Sequence, residues 1–180
     1  MVTILYNSEL LEKSKKFFED KDIPNALETY KKALDHISRA KSKNKTDYIQ
    51  YLESMLQYCK ENNLTEHEAL VLRSLGRTYS IFKQYVESMK YHYQSLKIQK
   101  RLGKKIETAE GLVFLAEDLE VSGNYDKSIE IFIEASELFN ELGKLKKTND
   151  IAREISRLKE FSKIMIEDEY LLNKYQVDKY

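Results

Sequence analysis

Few residues of this chain are spaced for catalysis. Cys59 is the single cysteine in 180 residues, so neither an intramolecular disulfide nor a cysteine-based zinc site can form. None of His36, His67 and His92 stands three or four residues from another, the spacing that puts two imidazoles on one helical face for a metal. The five glycines are isolated, and none precedes a Lys-Ser or Lys-Thr pair as a phosphate-cradling loop requires. Glu117, Asp118 and Glu120 are the densest internal acidic group. Paired carboxylates act as acid and base only where their surroundings separate the two pKa values. In a charge-rich helix these three read as a solvated face, and Cys59, on an apolar stripe, reads as a buried structural thiol. The expectation is a protein that is not an enzyme and carries no cofactor or metal.

Charge narrows the partners. Thirty basic and thirty acidic side chains cancel, and residues 1–64 hold 11 and 10 of them, so neither half is polarised. A nucleic-acid binder carries excess positive charge to meet phosphates, so no nucleic acid is expected. Lys83, Lys90, Lys97, Lys100, Arg101, Lys104 and Lys105 form one basic run against Glu87, read as a solvated outer helix. The N-terminus lacks a basic segment followed by a long apolar run, so no signal peptide is expected. No stretch approaches the roughly 20 apolar residues of a membrane span. These features point to a cytoplasmic setting.

The elements that position these residues must be helices. One proline and five glycines leave few breakers, Lys, Glu and Leu are strong helix formers, and strand-type alternation is scarce, which makes the fold all-α. Self-comparison then finds a period of forty residues. Leu75, Gly76, Tyr79, Tyr85, Ser88 and Ser95 are followed by Leu115, Ala116, Leu119, Tyr125, Ser128 and Ala135. Leu102-Gly103-Lys104 recurs as Leu142-Gly143-Lys144, Thr108 as Thr148, and Ala69 as Ala109. Each unit reads as two amphipathic helices joined by a turn such as Ser122-Gly123-Asn124, with small residues letting the backbones approach. Tyr79, Tyr85, Tyr125 and Phe132 fill the space toward the next pair. One pair cannot bury its apolar face alone; a stack can.

This spacing resembles the tetratricopeptide repeat, in a forty-residue variant with longer helices. Gly76, Tyr79, Tyr85, Ser88 and Ser95 fit its pattern, as do Ala116, Leu119, Gly123, Tyr125, Ser128, Phe132 and Ala135. His92 stands where an aromatic is usual, and the tryptophan of the first helix is missing. An earlier match lies at Ser14, Phe17, Ile23, Ala26, Tyr30 and Ala33, with Pro24 in the first turn of a second helix. From Ala26 to Ser88 is 22 residues more than one period, room for one extra helix. Thr46-Asp47 reads as its N-cap, Tyr48, Leu52, Met55 and Cys59 as its apolar stripe, and Thr65-x-x-Glu68 as a capping box for the helix that follows.

The layout expected is helices near 4–20, 24–41, 46–62, 66–82, 86–102, 106–122, 126–142 and 146–172. Residues 1–180 read as one antiparallel helix-pair solenoid, with regular repeats at 66–104 and 106–144 and a capping helix at 146–172. Ile151, Ile155, Leu158 and Met165 would be the apolar face of that cap, and residues 176–180 a mobile end. Residues 4–62 also resemble the three-helix microtubule-interacting-and-trafficking domain, whose middle helix carries a similar Ala-x-x-x-Tyr-x-x-Ala-Leu run.

The tetratricopeptide resemblance implies a protein–protein interaction scaffold or adaptor that holds a protein or peptide in a concave groove lined by the first helices. By repeat position that groove shows Arg73 and Arg77, then Val113, Phe114, Glu117 and Glu120, then Arg153 and Arg157. The order basic, acidic, basic suits a segment of alternating charge, with Phe114 or Val113 gripping an apolar anchor. The plainer reading is ordinary exposed charge. The chaperone-binding clamp of the family needs Asn residues that these positions lack. A homo-oligomer and a peptide-sensing regulator are the alternative functions.

Overall fold

The computed structural model describes the backbone of residues 2–37 and 45–177, with side chains over 9–35 and 45–165. The described residues form eight α-helices: α1 (Val2–Glu19), α2 (Ile23–Ile37), α3 (Lys45–Glu61), α4 (Thr65–Ile81), α5 (Tyr85–Arg101), α6 (Lys105–Val121), α7 (Tyr125–Glu141) and α8 (Leu145–Val177). Helices α3 to α7 are each 17 residues long, about 25 Å at 1.5 Å per residue.

The turns explain why the helices begin where they do. Asn63, Lys83, Gly103, Gly123 and Gly143, spaced twenty apart, all hold positive φ, at 55°, 60°, 67°, 80° and 67°. Each ends its helix in the same way. The Gly103 amide donates to the Lys100 carbonyl at 3.1 Å, and the Lys104 amide reaches back to the Gln99 carbonyl at 3.0 Å, capping carbonyls that the helix leaves unpaired. Only three residues separate consecutive helices from α3 onward, so each starts one residue before its expected place.

Two cap assignments are thereby corrected. Leu64, not Thr65, precedes α4 and makes no side-chain capping bond, because Thr65 is already the first helical residue. Thr46 and Asp47 likewise lie inside the first turn of α3. The side-chain cap that does form is at α2, where Asp22 Oδ1 accepts from the Asn25 amide at 3.2 Å, with Pro24 in the first turn as expected.

The chain divides into two compact units, residues 1–104 and 105–180. In the first, α1 packs on α2 and α4 on α5, while α3 lies against α4 and α1, and α2 also reaches α4. Leu11, Ala26, Tyr30, Leu52, Met55, Cys59, Val71, Leu72 and Leu75 form one core. The Tyr30 hydroxyl pairs with Thr78 Oγ1 at 2.7 Å, and burial pushes its pKa far up. Cys59 is buried in this core, its pKa raised to about 11 by burial and then by Glu68, as suits an inert thiol.

The second unit is the α6–α7 hairpin with α8 packed on α7. Ile151 and Leu158 bury against it, but Met165 is 49% exposed, which corrects its assignment to the apolar face. The Tyr125 and Phe161 rings meet at 5.2 Å where α7 begins. Beyond that point α8 runs on to Val177, so the helix outlasts the hairpin and also the expected end near 172.

A hydroxyl bond marks the closest approach in each hairpin. Ser88 Oγ donates to the Gly76 carbonyl at 2.7 Å, and Ser128 Oγ to the Ala116 carbonyl at 2.8 Å, as the forty-residue register predicts. In the α1–α2 pair the direction is reversed, with Ser14 Oγ on the first helix donating to the Ala26 carbonyl at 2.7 Å.

Candidate interaction surface

Arg73 and Arg77 belong to the first unit, and the other six expected site residues to the second. On α4, Gly76 lies between the two arginines in sequence and against the His92 imidazole of α5 in space. A Cβ at Gly76 would stand 2.5 Å from His92 Cε1. His92 is 1% exposed, as deeply buried as the aromatic usual at its position would be. Its pKa is lowered to about 3, first by burial and then by Arg77 and Arg73, both half-buried, so the ring is neutral at pH 7.

The polarity of α5 is the local departure from the repeat. His92, Ser95 and Gln99 occupy the places that Phe132, Ala135 and Phe139 take in α7, and all six are buried. Ser95 is satisfied by the Ala69 carbonyl at 2.7 Å. The Gln99 side-chain amide has no hydrogen-bond partner among the described residues.

In the second unit Glu120 and Arg157 meet. Arg157 Nη2 stands 2.7 Å from Glu120 and 2.8 Å from Glu154, and both carboxylates raise its pKa, Glu120 the more. Lys147 and Glu110 make a second pair from α8 to α6 at 2.9 Å. Arg153 pairs with Asp150 within α8 at 3.4 Å. Val113 and Phe114 are half-buried and Glu117 is exposed. Asp118 is 1% exposed, so the acidic group is not one solvated face as expected: the helix turns Asp118 inward between Glu117 and Glu120. In the basic run, Lys104 is held by Glu66 at 2.6 Å and Lys105 by Glu141 at 2.9 Å, while Lys90, Lys97 and Arg101 remain exposed. The His36 side chain lies outside those described. No group of His, Cys, Asp and Glu side chains fit to hold a metal occurs among the described residues, and no described helix is long and apolar enough to cross a membrane.

A further feature was not foreseen. Lys15, Phe18 and Glu19 of α1 and Asp47, Gln50, Tyr51 and Ser54 of α3 line an open cleft of about 400 Å³. The expected reading of α3 followed only its buried stripe and took Asp47 as a cap. The overlooked signal was the alternation of that stripe with Asp47, Gln50 and Ser54 on the opposite side of the helix.

Comparison with protein-family models and with curated proteins gave no match. Among solved structures the chain is similar to a signal transduction ATPase with numerous domains that carries a tetratricopeptide repeat sensor, from Pyrococcus horikoshii. The TM-score is 0.56 at 17% identity, covering 83% of this chain and 26% of that one. This chain therefore spans about a quarter of that protein's length. Weaker likenesses are to the nearly identical tetratricopeptide-like repeats of a kinesin light chain from Podosopora anserina (TM-score 0.46, 10% identity, 87% of this chain and 95% of that one) and to BtubC from P. vanneervenii (TM-score 0.43, 12% identity, 89% and 91%). The fold is tetratricopeptide-like, built of antiparallel helix pairs.

Proposed function

We propose that this tetratricopeptide-like chain is a non-catalytic scaffold that holds a protein or peptide partner in a cytoplasmic setting. The observation that carries the reading is the pair Arg73 and Arg77 on α4. They flank a helix contact too tight for any side chain at Gly76, so their place is fixed by packing rather than by loops. Two cations held one turn apart beside a neutral His92 suit an acidic segment, which both can meet by charge-assisted hydrogen bonds. In the second unit Val113, Phe114 and Glu117 on α6, with Arg153 on α8, offer a mixed apolar and charged surface. Glu120 and Arg157 contribute there as a pair rather than as separate contacts, since each already neutralises the other.

The test is Arg73→Glu with Arg77→Glu, read by affinity for a partner recovered by crosslinking in the native cell. Both side chains are half-buried, so unchanged far-UV ellipticity checks that the variant is folded, while the reversed charges repel an acidic ligand. Unchanged affinity across a salt titration refutes the assignment.

A second reading has its own observation. Phe161, Ile164 and Met165 are 40%, 50% and 49% exposed where α8 leaves α7, an apolar stretch that a second copy would cover. Light scattering across concentration separates the two readings, because a monomer at high concentration excludes self-assembly. A peptide-sensing regulator is the third form of the same binding chemistry, and the neighbour from Pyrococcus horikoshii is described as bearing a tetratricopeptide repeat sensor.

A further inference from the structure

The cleft between α1 and α3 exists because α3 is the helix that the forty-residue hairpins do not contain. Its floor is aromatic and rigid. Tyr51 is 7% exposed, and its hydroxyl donates to the Ser14 carbonyl at 2.9 Å and lies 2.8 Å from Ser14 Oγ. The Phe18 ring meets Tyr51 edge-on at 6.0 Å and Tyr58 at 5.6 Å, which fixes its plane. That ring already accepts a cation: Lys21 Nζ stands 5.2 Å from the Phe18 centroid and 4.6 Å from that of Tyr58.

The rim is acidic once its internal pair is set aside. Lys15 is neutralised by Glu12 at 2.6 Å, and the Ser54 hydroxyl donates to the Tyr51 carbonyl at 2.7 Å. Glu19 and Asp47 are exposed and enter no ion pair among the described residues, and Gln50 stands between Asp47 and Tyr51 with its amide open to solvent. Two uncompensated carboxylates repel phosphates and other anions. They attract a cation whose stem can lie on the rings. A volume of about 400 Å³ falls at the small end of ligand sites, and an open trough takes a side chain presented by a macromolecule better than a free small molecule, which needs enclosure.

We infer that the α1–α3 cleft binds an arginine or lysine side chain of a partner protein, with its stem on Phe18 and Tyr51 and its charged head between Glu19 and Asp47. This site goes beyond the scaffold reading, since it needs neither Arg73 nor Arg77 and takes a ligand of opposite charge.

The experiment is a titration of the full chain, followed by amide and side-chain NMR shifts, with the peptide acetyl-Gly-Leu-Arg-Leu-Gly-amide. The control is the same peptide with neutral citrulline for arginine. The expected result is saturable shifts at Gln50, Tyr51 and Ser54 with the arginine peptide alone. They should weaken as salt rises, and by at least about tenfold in Glu19→Gln/Asp47→Asn. Both substitutions are on exposed positions, and unchanged far-UV ellipticity checks that the variant is folded. The inference is overturned if the arginine peptide causes no shift up to about 5 mM, if the citrulline peptide binds equally, or if the double variant binds like the unaltered chain.

Discussion

Substituting Gly76 by alanine sets two opposing terms against each other. Alanine inside a helix is favoured over glycine by about 1 kcal/mol, so at an open position the change stabilises. At Gly76 the new methyl would stand 2.5, 2.6 and 2.8 Å from three atoms of the His92 ring. Ordinary carbon contacts begin near 3.5 Å, so the ring must withdraw by about 1 Å. It has little room to do so, being 1% exposed, and the helices cannot part cheaply because Ser88 bonds to the Gly76 carbonyl and Ser95 to that of Ala69. Overpacking of this kind costs about 1–3 kcal/mol. The net expectation for Gly76→Ala is a loss of up to about 2 kcal/mol, and for Gly76→Phe a loss of several. Urea unfolding followed at 222 nm reads the loss, and hydrogen exchange should place it in α4 and α5. Adding His92→Ala should recover part of it, with a coupling of about 0.5–3 kcal/mol. A Gly76→Ala chain more stable than the parent would refute the contact, because only the helix-propensity term would then be at work.

Three other outcomes follow from buried or strained groups. His92 titrates at about 3 when folded and 6.5 when free, so the unfolded chain binds the extra proton between those values. Stability should therefore be full above pH 6.5 and fall by about 1.4 kcal/mol per unit below it, a slope that His92→Phe should remove in acid urea titrations. Gln99→Leu should stabilise by about 1 kcal/mol or more, since a buried amide without a partner carries its desolvation cost; a destabilised variant would mean that the amide is satisfied. Replacing Lys83, at φ 60°, by glycine should stabilise the chain by about 1 kcal/mol, measured by the same urea unfolding.

The forty-residue register was legible because it is written in paired small residues and in turns. Gly76 with Ser88, and Ala116 with Ser128, could be matched by eye, and each proved to be a hydroxyl-to-carbonyl contact at closest approach. Helix starts were misjudged by one residue because capping residues were sought in Thr65 and Thr46, whereas the ends are set by backbone bonds around the positive-φ residue. Such bonds leave a weak trace in residue type, since lysine fills that position at 21 and 83. The surface was less legible than the fold. Repeat position places Glu120 and Arg157 along one groove, but that they neutralise each other depends on the packing of α8 beside α6. Asp118 was misplaced because its neighbours are charged, though its spacing from Leu115 by three and Leu119 by one puts it toward the interior. The α1–α3 cleft could not be read at all, since it joins segments some thirty residues apart with no repeated counterpart.

The twenty-residue spacing of the positive-φ turns from Asn63 to Gly143 bears on how the chain is made. A ribosome adding about 5–20 residues per second releases one helix with its closing turn every few seconds. Helices α5, α7 and α8 each find their main neighbour in the helix just released, so docking within each unit can keep pace with synthesis. The exception is α2, whose Tyr30 hydroxyl waits for Thr78, 48 residues downstream. Until α4 emerges, that phenol and the core around it stay open to water, which makes the first unit the stretch of nascent chain most exposed to misassociation and to early capture by a chaperone.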